Sequence, residues 1–196
     1  MESKARSTDK VSCAIERFSS FGEGAAGGGT FIFEARDKDG NIKWTAEAKN
    51  LTTNQGRQDM NAKYFLGSSY TAAWFIGLVN NTPAPSYAVA DTMASHAGWV
   101  ETTDYSGTDR ATATFGTATT ADPSVISNSV ASGGTVATFG ITGTVTIDGA
   151  FLTATQDNST NTGVLFSVAA FESPGDRSVV NGDTLNVTYQ FSLADA

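Results

Sequence analysis

Residues 31–50 read FIFEARDKDGNIKWTAEAKN, two runs of alternating apolar and polar residues on either side of a turn. The apolar residues that share one face of these runs are Phe31, Phe33 and Ala35, then Ile42, Trp44 and Ala46. Side chains alternate between the two faces of a strand, so each run predicts a strand with one buried face. Asp39 and Gly40 lie between the runs, and glycine adopts the positive φ that tight hairpin turns require. The stretch therefore predicts a β-hairpin over residues 31–48.

The same turn has a weak likeness to a calcium-binding loop. Asp37, Asp39 and Asn41 have the alternate spacing of the first three ligands in such a loop. The loop also requires glycine at its sixth position and glutamate at its twelfth, where this chain has Ile42 and Ala48. We therefore interpret these residues as a hairpin turn and predict no metal site.

Beyond the hairpin, the chain continues as short apolar runs separated by Gly, Asn, Asp and Pro. The runs that predict strands are 71–79, 111–116, 136–139, 143–147, 163–171 and 184–193. In the last run, TLNVTYQFSL, the residues predicted to face inward are Leu185, Val187, Tyr189 and Phe191. Consecutive strands without helical spacers pair antiparallel, in a sandwich or a barrel. We predict an all-β fold, an antiparallel β-sandwich.

One helix is predicted between the hairpin and the later strands, over residues 53–66. Thr52 or Thr53 can cap its first turn, and Gly67 can end it. The apolar residues of this segment are Met60, Tyr64 and Phe65. They predict a short amphipathic helix that packs on a sheet.

The first 29 residues predict an arm and a glycine-rich hinge, because the stretch GEGAAGGGT (22–30) has the composition of a flexible linker. The sandwich domain is then predicted at residues 30–196. Gly22, Gly24 and Gly27 also satisfy the pattern G-x-G-x-x-G. Dinucleotide binding needs a strand before that pattern and a helix after it, whereas a strand follows here. We predict no cofactor.

Basic residues are scarce after residue 63, where the chain has two, Arg110 and Arg177, against eleven acidic residues. The formal net charge is −8, and nucleic-acid binding needs clustered Lys and Arg, so no nucleic-acid partner is expected. Cys13 is the one cysteine, which excludes a disulfide within the chain. No apolar run reaches the roughly 18 residues of a membrane span, and the start lacks an apolar signal core. We expect a soluble protein made in a cytoplasm, with no membrane partner.

The one histidine, His96, offers a candidate hydrolytic triad with Asp91 and Ser95. No G-x-S-x-G turn precedes them, and a lone imidazole cannot supply three or four metal ligands. Asp91 is instead predicted to cap a helical turn at residues 92–97, after which Trp99 returns to the core.

Two further groups of residues have the chemistry of sugar recognition. Glu101, Asp104 and Asp109 offer the paired carboxylates of a glycosidase, although their spacing is equally typical of a solvated loop. The aromatic residues that offer a carbohydrate-binding groove are Tyr70, Tyr87, Trp99 and Tyr105, for which core or interface packing is the commoner use. We predict no catalytic residue.

Several stretches resemble small virion proteins of tailed bacteriophages. They are WFIGLVNN (74–81), ADTMASHAGWVETTDYS (90–106) and VVNGDTLNVTYQFSL (179–193), and residues 28–60 also resemble phage structural proteins. The resemblance covers most of the chain beyond residue 28 and includes no catalytic motif. It implies a non-enzymatic virion component with a β-sandwich of jelly-roll type, in particular a head decoration (cement) protein.

The partners implied by the resemblance are the major capsid protein and further copies of the chain itself, in a homo-oligomer. The expected location is the outer head surface of the virion, after synthesis in the host cytoplasm. The arm (1–29) and the hairpin (31–48) are predicted to reach onto neighbouring subunits. The alternatives are a tail, baseplate or fibre component, and an adhesion module that binds a glycan of the host surface.

Overall fold

The computed structural model describes residues 25–70, 73–121, 123–171 and 175–195. Residues 1–24 of the predicted arm lie outside the described residues. The helix is α1 (Asn54–Phe65), and the strands are β1 (Ala25–Arg36), β2 (Ile42–Lys49), β3 (Leu51–Thr52), β4 (Phe75–Asn80), β5 (Val100–Thr102), β6 (Ala111–Thr112), β7 (Ser124–Ser127), β8 (Ala137–Gly140), β9 (Val145–Thr153), β10 (Leu165–Ala170), β11 (Arg177–Val179) and β12 (Thr184–Asp195). A short 3-10 helix, Val130–Ser132, precedes β8.

The strands form two antiparallel sheets. Sheet A has the order β2-β1-β12-β7, with β8 also paired to β12. Sheet B has the order β3-β10-β9-β4-β5, with β11 paired to β9 and β6 paired to β4. Side chains of the two sheets meet in one core, where the ring centroids of Phe166 in sheet B and Phe191 in sheet A lie 5.5 Å apart. This architecture confirms the predicted all-β antiparallel sandwich, and its jelly-roll type stays a prediction.

Sheet A buries one face and exposes the other, as the alternating sequence predicts. Its inward side chains are Phe31, Phe33 and Ala35 on β1, and Leu185, Val187, Tyr189 and Phe191 on β12. None of them is more than 8% exposed. The predicted inward faces of both strands are therefore confirmed.

The glycine-rich stretch is not a hinge from residue 25 onward. β1 begins at Ala25, and the pairing with β12 runs from Ala25 opposite Asp195 to Arg36 opposite Thr184. Gly29 serves a close approach instead, because a Cβ there would lie 2.5 Å from the Tyr189 hydroxyl. The hinge prediction is therefore wrong for residues 25–29.

The predicted hairpin is formed by β1 and β2. Its turn includes Gly40 at φ 84°, and the Asp37 carboxylate accepts hydrogen bonds from the Asp39 and Asn41 N–H groups, both at 2.9 Å. The hydrogen bonds from Asn41 hold the pKa of Asp37 below its usual range. Because β1 pairs with β2 on one side and with β12 on the other, the hairpin is built into sheet A, and β2 is an edge strand of that sheet. The contact of the hairpin with neighbouring subunits stays a prediction.

Sheet B is covered on both faces, which explains why its strands β4 and β10 are nearly continuous apolar runs. β4 is buried throughout Phe75–Val79, and the loop at 81–99 covers the face that points away from sheet A. Two side chains of this loop, Met93 and Trp99, are 0% and 2% exposed. The residues they pack with are Val79, Phe151, Leu165 and Val168. The return of Trp99 to the core is confirmed.

Two predicted elements differ in the structure. The strand predicted at 111–116 is β6, which ends at Thr112. Residues 92–97 do not form a helical turn, because Thr92 and Ser95 exchange two backbone hydrogen bonds of 3.0 and 3.1 Å around a tight turn. The Asp91 carboxylate, predicted to cap that helix, accepts a hydrogen bond from the buried Trp99 indole instead, at 3.1 Å.

Candidate docking surface

The first turn of α1 attaches the helix to sheet B. The Thr53 hydroxyl accepts a hydrogen bond from the Gly56 N–H (3.0 Å) and donates one to the Leu165 carbonyl (2.5 Å). The Gln55 side chain accepts a hydrogen bond from the Leu165 N–H at 2.8 Å. A Cβ on Gly56 would lie 2.3 Å from the Phe166 carbonyl oxygen, so the helix approaches β10 as closely as only glycine permits. The structure selects Thr53 from the two predicted caps.

The last turn of α1 is held by local contacts. Lys63 forms an ion pair of 2.9 Å with Asp59, and its ammonium lies 5.7 Å from the centre of the Trp74 ring. Gly67, at φ 65°, follows the helix, and the Ser68 N–H donates to the Ala62 carbonyl at 3.1 Å. The predicted end of the helix at Gly67 is confirmed.

Four large apolar side chains at this end of the helix point into solvent. They are Tyr64, Phe65, Leu66 and Tyr70, which are 75–83% exposed, and we call them the aromatic ridge. The Tyr64 and Phe65 rings meet edge to face, with centroids 4.9 Å apart. A single exposed apolar residue is ordinary, whereas adjoining exposed apolar side chains, such as the Tyr64 and Phe65 rings, indicate a contact with another molecule. The ridge is the candidate docking surface.

The prediction that the apolar residues of α1 face the sheet is therefore wrong for Tyr64 and Phe65. Met60 alone of the three packs against the core, where it is partly buried. The sequence contains a signal for this outcome, because Tyr64, Phe65 and Leu66 are consecutive. Consecutive residues on a helix point about 100° apart, so one packing face cannot take all three.

His96, Asp91 and Ser95 do not form a catalytic triad. The His96 ring stacks on the Trp99 ring, with centroids 3.9 Å apart and an angle of 22° between planes. Its Nδ1 lies 3.2 Å from the Trp99 carbonyl oxygen. The Asp91 carboxylate accepts a hydrogen bond from the Trp99 indole N–H, and the Ser95 N–H donates one to the Thr92 carbonyl. All three residues therefore shape the loop around Trp99.

The three carboxylates considered for sugar hydrolysis have separate partners. Glu101 pairs with the buried Arg110, at 2.7 Å between Oε2 and Nη2. Asp104 accepts a hydrogen bond from the Thr102 hydroxyl at 3.2 Å, and Asp109 accepts one from the Gln156 amide at 3.0 Å. Burial raises the pKa of Glu101, and the Arg110 guanidinium offsets part of that rise. The Glu101 carboxylate is therefore engaged by a structural arginine.

The four aromatic residues considered for a carbohydrate groove are not presented together. Trp99 and Tyr105 are buried, Tyr87 is half-buried, and Tyr70 belongs to the aromatic ridge. The Tyr105 hydroxyl accepts a hydrogen bond from the Asn158 amide at 3.3 Å, and burial raises the pKa of Tyr105 to about 12. The four rings therefore form no common groove, and core packing, the use preferred from the sequence, is found for Trp99 and Tyr105.

Within the described ranges, no group of three or more His, Cys, Asp or Glu side chains is arranged to hold a metal ion. In the same part of the chain, no helix is long and apolar enough to cross a membrane. Every buried side-chain nitrogen or oxygen there has a hydrogen-bond partner. The Cys13 thiol and the glycine pattern at Gly22 and Gly24 lie outside the described residues.

Comparison of the chain with protein-family models, with curated proteins and with solved structures found no match.

Proposed function

We propose that this chain is a non-enzymatic structural protein of a tailed-bacteriophage virion, and that it decorates the outer surface of the head. Two kinds of observation support the proposal. The stretches 74–81, 90–106 and 179–193 resemble phage virion proteins, and the aromatic ridge offers an apolar contact on a compact β-sandwich. The ridge is the main support for the proposal. Its apolar side chains are unfavourable in water and become favourable when another protein covers them.

The proposed partner is the major capsid protein. Burying one large apolar side chain on association contributes about 1.5–3 kcal/mol before the costs of association, so even the two adjoining rings of Tyr64 and Phe65 are a substantial anchor. A protein that binds the assembled shell and not its separated subunits adds its binding free energy to the stability of the shell. The sandwich is suited to this task, because α1 is attached to β10 and holds the base of the ridge in place.

The test replaces the centre of the ridge. We expect the triple variant Tyr64→Ser, Phe65→Ser, Leu66→Ser to lose at least about tenfold in affinity for empty heads of the phage that encodes the chain. Its melting temperature should stay close to that of the unaltered protein, because exposed side chains contribute little to folding. Co-sedimentation with heads measures the binding, and cryo-electron microscopy counts the bound copies.

Val130→Ser is the matched control, since Val130 is also 76% exposed but lies in the short 3-10 helix before β8. It should bind heads like the unaltered chain. Many copies spread over the head agree with decoration, whereas a few copies at one vertex would assign the chain to the tail. Undiminished binding by the triple variant would refute the role of the ridge.

A further inference from the structure

The sequence contains one Asn–Gly pair, Asn181–Gly182, which lies in the turn between β11 and β12. An asparagine followed by glycine is open to spontaneous deamidation, because glycine has no side chain to hinder attack by its own backbone nitrogen. Asn181 is exposed, and its side-chain amide makes no hydrogen bond to any of the described residues. The residue type, the neighbour and the exposure therefore make position 181 a candidate modification site.

The reaction needs no reactant other than the chain and water. The Gly182 backbone nitrogen bonds to the side-chain carbonyl carbon of Asn181, loses its hydrogen as a proton, and the side-chain nitrogen leaves as ammonia. Water then opens the cyclic imide at either of its carbonyls. The product at position 181 is an aspartate, or an isoaspartate in which the main chain runs through the former side chain. The first step therefore requires that the Gly182 nitrogen gives up its hydrogen.

In the folded chain that hydrogen is engaged. The Gly182 N–H donates to the Ile141 carbonyl at 2.9 Å, and the Ile141 N–H donates to the Asp183 carbonyl at 2.8 Å. Ile141 is 3% exposed, so this pair of hydrogen bonds is largely withdrawn from water. Because the cyclic imide has no N–H, it forms only after the hydrogen bond from Gly182 to Ile141 has broken.

The turn is also held closed by bonds within it. The Asp183 N–H donates to the Val180 carbonyl at 3.0 Å, and the Val180 N–H donates to the Asp183 carboxylate at 2.9 Å. The same carboxylate is 3% exposed and pairs with Lys43 of β2. The turn therefore opens only when several hydrogen bonds are lost together, and only the opened turn is reactive.

We infer that Asn181 is a deamidation site that the fold protects, and that it reacts when the β11–β12 turn opens or the chain unfolds. The modification opposes refolding, because an aspartate places a second carboxylate two residues before Asp183. An isoaspartate lengthens the main chain beside the Gly182 N–H that bonds Ile141. Chains that have been unfolded thus acquire a lasting chemical change at this turn. This inference does not depend on the proposed function, because it concerns the purified chain alone.

Trypsin provides the readout. The chain has no Lys or Arg after Arg177, so cleavage there releases residues 178–196 as one peptide. That peptide also contains Asn186, which is followed by the bulky Val187 and serves as an internal control. The unaltered chain is incubated in mildly alkaline buffer with and without urea, and a synthetic peptide of residues 178–196 is incubated beside it. Mass spectrometry of the fragments measures the aspartate and isoaspartate formed at each asparagine.

We expect Asn181 to react faster than Asn186 in the synthetic peptide and in urea. In the folded chain, Asn181 should react about 5- to 150-fold more slowly than in the peptide, the factor that corresponds to the loss of two net hydrogen bonds. Equal rates in the folded chain and the peptide would overturn the protection. A peptide in which Asn181 reacts no faster than Asn186 would overturn the site itself.

Asp183→Ala tests whether the turn, as distinct from the stability of the whole fold, provides the protection. The variant lacks the acceptor of the Val180 N–H and the partner of Lys43, so folded chains should modify Asn181 at least about threefold faster. Where this variant loses its cooperative unfolding transition, Lys43→Met removes the ion pair alone and takes its place. Asp109→Ala is the matched control, since the exposed Asp109 carboxylate accepts from Gln156 and makes no bond to this turn. An unchanged rate at Asn181 in the folded turn variant would overturn the role of the turn.

Discussion

Arg110 shows how much one side chain can organise in this protein. The guanidinium is completely buried, bonds the Glu101 carboxylate, and donates to the carbonyls of Thr155, Asp157 and Thr160 at 2.8–3.2 Å. Burying two charges costs several kcal/mol, so the pair itself adds little net stability. Removing one partner is different, because the other charge and the carbonyl groups then stay buried without their hydrogen bonds.

We expect Arg110→Met to lower the free energy of unfolding by about 3–5 kcal/mol. Methionine fills much of the volume but donates no hydrogen bond, so Glu101 loses its cation. The residues 155–160 lose their common donor as well. Urea unfolding followed by tryptophan fluorescence measures the change.

Arg177→Met is the matched control. Both guanidinium groups lie over a phenylalanine ring, Arg110 over Phe151 at 5.4 Å and Arg177 over Phe171 at 5.9 Å, but Arg177 is partly exposed. A loss of less than about 1 kcal/mol is expected there, as for other exposed cations. Equal losses for the two variants would show that burial of the guanidinium is not the cause. The sequence shows Arg110 only as one of two basic residues after residue 63, because its partners in 155–160 are distant in the chain.

The correctly predicted elements are those whose local sequence contains the signal, either an alternation of apolar and polar residues or a turn dipeptide. β12 alternates strictly because it buries one face, and the hairpin turn was readable from Asp39 and Gly40. The helical turn predicted at 92–97 failed because a tertiary partner, the Trp99 indole, uses the carboxylate that would have capped it. The ridge was missed for the related reason that α1 attaches through its first turn instead of along an apolar stripe.

At the level of the helix, Gly56 decides how closely α1 approaches β10. Alanine normally stabilises a helix interior by about 1 kcal/mol relative to glycine. Here its Cβ would lie 2.3 Å from the Phe166 carbonyl oxygen, which is backbone and cannot turn aside. We expect Gly56→Ala to lower the free energy of unfolding by about 1–3 kcal/mol, the usual cost of overpacking.

Asn61→Ala tests the same helix on its exposed side, and thermal unfolding compares the two variants. This control should be neutral or slightly stabilising, by up to about 0.5 kcal/mol. A stabilised Gly56→Ala variant would contradict the close helix–strand contact, because the higher helix propensity of alanine would then account for the result alone.

The first and the last strand of the described residues are neighbours in sheet A. β1 and β12 pair along their full lengths, and both lie inside sheet A. Periodicity in the sequence reveals which face of each strand is buried, but it contains no information about which strand is its neighbour. The two strands were therefore predicted, whereas their pairing, and the continuation of β1 into the glycine-rich stretch, required the structure.

The pairing of β1 with β12 predicts different effects for two truncations, a shorter one that removes residues 1–24 and a longer one that removes residues 1–29. Removing residues 25–29 in addition to 1–24 deletes the strand pairs opposite residues 191–195 and the Gly29 carbonyl that accepts from the Asn50 N–H at 2.8 Å. We expect the longer truncation to be less stable than the shorter by about 2–5 kcal/mol, from several lost hydrogen bonds at about 0.5–1.5 kcal/mol each. Urea unfolding of the two variants measures the difference, and equal stability would show that residues 25–29 pair too weakly to matter. Only the shorter truncation is then a fair test of the predicted role of the arm in binding heads, because loss of binding by the longer one would also reflect damage to sheet A.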